Sequence, residues 1–343
     1  MSRSRIWLNI GAVTAAVAGL SAIAVQNLPA QSRYQLVNVS YDPTRELYQA
    51  VNPLFVASYE RETGRHIVIV QSHGGSSRQA RKVANGEQAA DVVTLGLASD
   101  IEVLRKRGLI ASDWFERLPN HGVPYTSTIV FVVRHGNPYD VRDWPDLLKP
   151  GLEVAMPDPR TSGNGKLAAL AAWAAITTRG GSETEAVTFL RALFRQAPSF
   201  EEGARGTAIQ FASPEGSDVH ITWENEAMRE VAASRGDLEI VYPPVSILAE
   251  PSVTWIDSGS VRKASVEDAR AYLSFLFSEA GQEAIARLGY RPYKTEVAKK
   301  VGVEFPSIKL IPVTAVARDW NDAYDRFFAD DGIIAAAFAL RSK

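Results

Sequence analysis

The chain contains no cysteine in 343 residues. That excludes a disulfide framework, a thiolate nucleophile, a zinc–thiolate site and a lipid-modified cysteine behind a leader. Histidine is scarce: His66, His73, His121, His135 and His220 form no H-x-x-x-H pair, so no helix-borne zinc site of that kind is expected. An excess of one charge is missing too. The 37 Lys and Arg stand against 39 Asp and Glu, a formal charge of −2, with no polybasic block to follow a nucleic acid or an anionic membrane. Nucleic acid, metal and cofactor are therefore not expected. A G-x-S-x-G elbow is also lacking, which counts against an esterase even though His73-Gly74-Gly75 has the composition of an oxyanion loop.

One long apolar run is present. Residues Ile6 to Val25 are 20 in number, follow Arg3 and Arg5, and lead to Pro29 and Ala30, the layout of a secretory signal. The run is long enough for an uncleaved membrane anchor, but the reading taken is cleavage near Ala30, with residues 1–30 as signal peptide. Loss of Arg3 and Arg5 takes the formal charge to −4. The remaining body is long enough for about two domains with sizeable cores.

From Tyr34 the pattern alternates strand and helix. Tyr34–Tyr41 reads as a strand, and Asp42-Pro43 as the cap and first-turn proline of a helix through Phe55. His66–Gln71 is a second strand, followed by a helix ending near Asn85-Gly86. Asp91–Gly96 is a buried strand, with Ser99 or Asp100 capping the next helix and Gly108 ending it. Such alternation implies a parallel sheet. After the long extended run from Tyr125, a second β/α set follows, with helices in KLAALAAWAAITT and ETEAVTFLRALFRQ and a strand in SDVHITW. Another extended run covers Glu239–Asp257, and the chain then becomes mostly helical, with a capping box at Ser265–Asp268. The expected fold is two α/β lobes joined by two extended crossings with a ligand cleft between them: 31–124 as the first part of lobe 1, 125–248 as lobe 2, and 249–343 as the return to lobe 1.

Three Gly/Ser loops open helices at strand or lobe edges: QSHGGSSRQA (Gln71–Ala80), TSGNGKLAAL (Thr161–Leu170) and EEGARGTA (Glu201–Ala208). The second fails as a P-loop, because Arg160 stands where glycine is needed and Leu167 where Ser or Thr is needed. What the three share is a set of unpaired helix N–H groups at a positive dipole end, hence affinity for an anion. Trp223 closes the strand before ENEAMREVAAS, and indole is a donor with no acceptor.

These stretches, with VNVSYDPTRELY, ADVVTLGLASDIE, LPNHGVPYTSTIVFVVR, TWENEA, SILAEP and GYRP, resemble in register the periplasmic sulfate-binding proteins, also described as sulfate/thiosulfate-binding, of ABC importers. The resemblance runs from about Leu36 past Lys309 and implies a type II periplasmic binding fold that closes on one tetrahedral dianion. It implies main-chain donors at Ser76, Gly163, Asn164 and Ala204, the Ser162 hydroxyl and the Trp223 indole N–H. Asn164 stands where many relatives carry glycine. Supporting roles fall on Asp42, Ser77, Arg78 and Arg205, Asp42 as a cap. A site of donors alone suits sulfate, which is fully deprotonated. Hydrogen phosphate would bury an unsatisfied proton at a cost of roughly 1–3 kcal/mol. Molybdate or tungstate is the alternative ligand on the same fold. The expected partners are sulfate or thiosulfate and the ABC permease in the inner membrane; the expected state is a periplasmic monomer without enzymatic activity.

Overall fold

The structure is a computed structural model that describes residues 34–213, 215–258 and 265–339. The signal expected over residues 1–30 lies outside the described residues.

In chain order the first elements are β1 (Tyr34–Tyr41), α1 (Arg45–Thr63), β2 (Ile67–Gly74), α2 (Ser76–Ala84), β3 (Val92–Leu95) and α3 (Ala98–Lys106). Next come β4 (Tyr125–Thr126), β5 (Ile129–Arg134), β6 (Val154–Pro157), α4 (Gly163–Thr177), α5 (Glu183–Gln196) and β7 (Phe200–Glu201). They are followed by α6 (Ala204–Phe211), β8 (Val219–Trp223), α7 (Glu224–Ala233), β9 (Leu238–Val241), β10 (Val245–Ile247) and β11 (Ser252–Trp255). The last are α8 (Val266–Phe275), α9 (Glu279–Arg287), β12 (Arg291–Pro292), α10 (Thr295–Lys300), β13 (Lys309–Ile311), α11 (Trp320–Ala323) and α12 (Ile333–Ala339).

Two sheets organise them, one ordered β11-β3-β1-β2 and one ordered β7-β6-β8-β5-β9. In the first, β1 runs parallel to β2 and β3, and β11 is antiparallel. In the second, β6 is parallel to β7 and β8, and β5 is antiparallel to β8 and β9. This is the α/β architecture expected, with helices on the crossovers of each parallel set.

α1 runs eight residues past the expected end at Phe55, with Pro53 inside it. Leu47, Val51, Phe55 and Tyr59 are all buried at four-residue spacing, so one apolar stripe continues across the proline, and its packing outweighs the missing N–H. Gly64 then ends the helix in the left-handed region at φ 69°. α4 is buried on nearly every side, 13 of its 15 residues, because α5 and β10 pack against it and Phe327 meets Trp173 edge-on at 5.0 Å.

The chain passes between the sheets at three places rather than two. β10 and β13 lie parallel, Ser127 and Ala249 exchange backbone hydrogen bonds, and the Leu248 N–H donates to the Ile311 carbonyl at 2.8 Å. The segment from Lys309 onward, expected as part of the return to lobe 1, pairs here with β10. Ile311, Val316, Phe327 and Ile334 join the core around α4 and α5, and Phe338 stacks on Phe194 at 4.7 Å. The apolar period of these helices reports that they pack, without naming the sheet.

Candidate anion-binding site

The parallel register aligns the carboxyl ends of β1 and β2, with Tyr41 opposite Gly74, so Asp42 and Gly75 leave the sheet side by side. From the second sheet, β6 delivers the Thr161–Gly163 loop, β7 the Glu201–Gly203 loop, and β8 ends on Trp223. These loops meet across the cleft. A Cβ on Gly75 would sit 2.9 Å from the Thr161 carbonyl oxygen and 3.1 Å from that of Glu202, and one on Gly163 would lie 3.2 Å from Ser76 Cβ. A Cβ on Gly203 would lie 2.8 Å from Asp42 Oδ2. The cleft is closed, and glycine is what allows the backbones so near.

Ser76, Ser77, Ser162, Asn164, Ala204 and Trp223 are all buried here. Ser76 and Ser77 open α2, Gly163 and Asn164 open α4, and Ala204 opens α6. First-turn N–H groups have no acceptor within their own helix, so three positive helix ends converge. Ser162 caps α4 through its Oγ, which accepts from the Gly165 N–H at 3.4 Å and leaves the hydroxyl proton to be donated elsewhere. The indole Nε1–H of Trp223 is fully buried and has no acceptor. Its ring packs on Tyr41 at 5.5 Å, and burial pushes the Tyr41 phenol well above its ordinary pKa, so that neighbour stays neutral.

The side chains do not all act as the loop composition suggests. The Ser76 hydroxyl donates to Asp100 Oδ2 at 2.6 Å and accepts from the Gly96 N–H at 2.9 Å. Ser77 Oγ is buried without a partner, as are both polar atoms of the Asn164 amide. Two expected caps are corrected. Tyr41 caps the 3-10 turn Asp42–Thr44, while the Asp42 carboxylate accepts from Arg45 at 2.8 Å. Leu97 caps α3, and Asp100 instead turns toward Ser76 and Lys166.

Cations around the cleft face carboxylates. Arg78 pairs with Glu202, Arg205 donates to Glu46 at 2.6 Å, and Lys166 Nζ lies 3.5 Å from Asp100 Oδ1 with both side chains almost inaccessible. Each pair joins elements of the two sheets. Burial would raise the Glu46 carboxyl, but the hydrogen bond and charge of Arg205 bring it below the usual carboxylate range. The Lys166–Asp100 pair was not foreseen. The GNGK stretch drew attention as a failed P-loop, and nothing in it names a partner 66 residues away.

A fold of two sheets with helix ends pointing into the seam between them is that of a type II periplasmic binding protein. The chain belongs to the family of bacterial extracellular solute-binding proteins, whose model matches residues 44–291. It is 46% identical over 302 residues to the sulfate-binding protein of Escherichia coli K12, covering 87% of this chain and 91% of that one. It is 42% identical over 306 residues to the thiosulfate-binding protein of Pseudomonas aeruginosa, covering 89% and 92%. Among solved structures it is similar to the sulfate-binding protein SubI of Mycobacterium tuberculosis, with a TM-score of 0.76 and 32% identity over 85% of this chain and 98% of the other. The fold extends to the periplasmic binding protein AfuA of Actinobacillus pleuropneumoniae, with a TM-score of 0.61 at 18% identity over 81% and 91%.

Proposed function

We propose that the chain is the exported, periplasmic solute-binding component of an ABC importer for sulfate or thiosulfate. One tetrahedral dianion is held by the main-chain N–H groups of Ser76, Gly163, Asn164 and Ala204, the Ser162 hydroxyl and the Trp223 indole. Ser77 and Asp42 shape the loops, and Arg78 and Arg205 hold the closed arrangement. The observation that carries the reading is the Trp223 N–H, fully buried without an acceptor beside three helix N-termini. A buried donor is left unpaired in a native wall where a ligand completes it. The sulfate and thiosulfate relatives support the anion's identity over molybdate.

The lobes are residues 31–124 with 249–308, and 125–248 with 309–339, and the chain acts as a monomer because one copy supplies both walls. It delivers its ligand unchanged to the membrane permease. A Ser76 hydrolase is disfavoured, since that hydroxyl is engaged by Asp100 and His73 turns toward the Tyr41 carbonyl. Calorimetric titration of the anion-free protein with sulfate, thiosulfate, phosphate and molybdate tests the reading. One-to-one sulfate or thiosulfate binding with little heat from phosphate is expected; heat from molybdate or phosphate alone would reassign the ligand.

A further inference from the structure

Glu224 follows Trp223 directly, as the first residue of α7, and its side chain is fully inaccessible. One guanidinium takes both of its carboxylate oxygens: Arg291 Nε donates to Oε2 at 2.7 Å and Arg291 Nη2 to Oε1 at 2.8 Å. This planar, two-point contact fixes direction as well as distance. The guanidinium is itself held, because Nη2 also donates to the Pro306 carbonyl at 3.0 Å and the group lies over the Phe305 ring at 5.2 Å.

The two partners belong to different proposed lobes, yet both are tied to one crossing strand. Arg291 on β12 stands opposite Thr126 of β4, and the Glu224 N–H donates to the Thr128 carbonyl at 2.9 Å. Between these two points Ser127 and Ala249 exchange backbone hydrogen bonds, so the ion pair straddles the joint itself. A ring of contacts closes on the indole from the other side. Trp223 packs on Tyr41, the Tyr41 and Tyr125 hydroxyls lie 3.3 Å apart, and the Tyr125 ring sits 4.6 Å from that of Tyr290, the neighbour of Arg291.

We infer that Arg291 is a positioning residue for the proposed anion site: acting through Glu224, it sets the turn at which β8 becomes α7 and hence the direction of the Trp223 N–H. Lysine cannot replace it, because a single point charge on a flexible stem does not fix the plane of a carboxylate. The effect on affinity rests on the anion-binding reading; the orientation of the indole does not.

The test joins indole N–H NMR spectra of the anion-free protein to calorimetric titration with sulfate, on Arg291→Lys, Glu224→Gln and each of these combined with Trp223→Phe. The Trp223 signal is the one that Trp223→Phe removes. Both single changes are expected to displace or broaden that signal while the other indole signals stay in place. Sulfate should bind each about tenfold more weakly, and the loss should shrink to about twofold or less in the Trp223→Phe background, where the group acted upon is gone. If Arg291→Lys does not fold, Glu224→Gln, neutral and of the same shape, carries the test. An unmoved Trp223 signal overturns the proposal, and so does an equal loss of affinity with and without the indole, which would make the pair a part of lobe closure. A displaced signal in a protein whose wild type ignores sulfate and thiosulfate retains the positioning and removes the anion reading instead.

Discussion

At the scale of single residues, the proposed site separates groups assigned to the ligand from groups that position them. Trp223→Phe keeps the ring that packs on Tyr41 and removes one N–H. A hydrogen bond to a charged group contributes roughly 1.5–3 kcal/mol, so sulfate affinity should drop about ten- to hundredfold with the thermal midpoint nearly unchanged. Calorimetry beside a melting curve checks both halves. Asp100→Asn acts one step back: it weakens the clamp on the Ser76 hydroxyl and leaves Lys166 buried without its counter-charge. It should lose affinity and stability together, and an unshifted melting curve would count against this account of the pair. The helix starts at Ser76 and Gly163 were legible because Gly/Ser before a helical run marks an N-terminus whatever the tertiary context. Asp100 and Lys166 were not, since burial and pairing join residues far apart in the chain, and each has an ordinary local reading as a first-turn helical residue.

At the scale of elements, Gly75 makes a prediction that its backbone alone would not. Its φ of −56° suits any residue, so Gly75→Ala should leave α2 and the fold intact. The added methyl meets two carbonyl oxygens from the opposite sheet, so closure stops short and the affinity falls at least tenfold while the melting temperature holds. Equal loss in both measurements would assign the glycine a folding role instead. α8 offers a pH test. Burial on its own would raise the Asp268 carboxyl, yet hydrogen bonds from Tyr59 and Ser265 and the Arg65 guanidinium hold it below the ordinary range. An acid with a depressed pKa stabilises the fold above its unfolded value of about 3.9, and that contribution is lost as pH falls through the native one. Asp268→Asn should lower stability at neutral pH and flatten the acid limb of a melting-temperature profile, whereas a parallel profile would deny the linkage. The capping box that positions Asp268 was readable from Ser265–Asp268 alone, because a cap is local. The length of α1 was not, because only the buried stripe in three dimensions shows that packing carries the helix through Pro53.

At the scale of the whole molecule, the Arg78–Glu202, Arg205–Glu46, Lys166–Asp100 and Arg291–Glu224 ion pairs join the two proposed lobes, while the proposed ligand contacts are neutral. Charge is thus assigned to closing the protein rather than to gripping the anion. Lys166→Met should leave the open chain folded and raise its radius of gyration in saturating sulfate above that of the wild type, as scattering would detect. Identical compaction would confine Lys166 to local packing. The alternation of strands and helices made the two sheets legible early, because parallel pairing demands a crossover and the crossovers are long and periodic. The third passage was hidden: β13 is three residues long, and nothing in Lys309–Ile311 distinguishes a partner of β10 from an edge strand elsewhere.

That third strand changes what sort of joint this is. Two extended connections permit one half to roll as well as to bend against the other, whereas a narrow ribbon of three, tied between Ser127, Ala249, Leu248 and Ile311, resists torsion and yields along a single axis. The molecule then behaves as a jaw and not as a ball joint, and under the proposed transport role the spacing between its two outer faces is the gauge by which a permease tells a loaded carrier from an empty one.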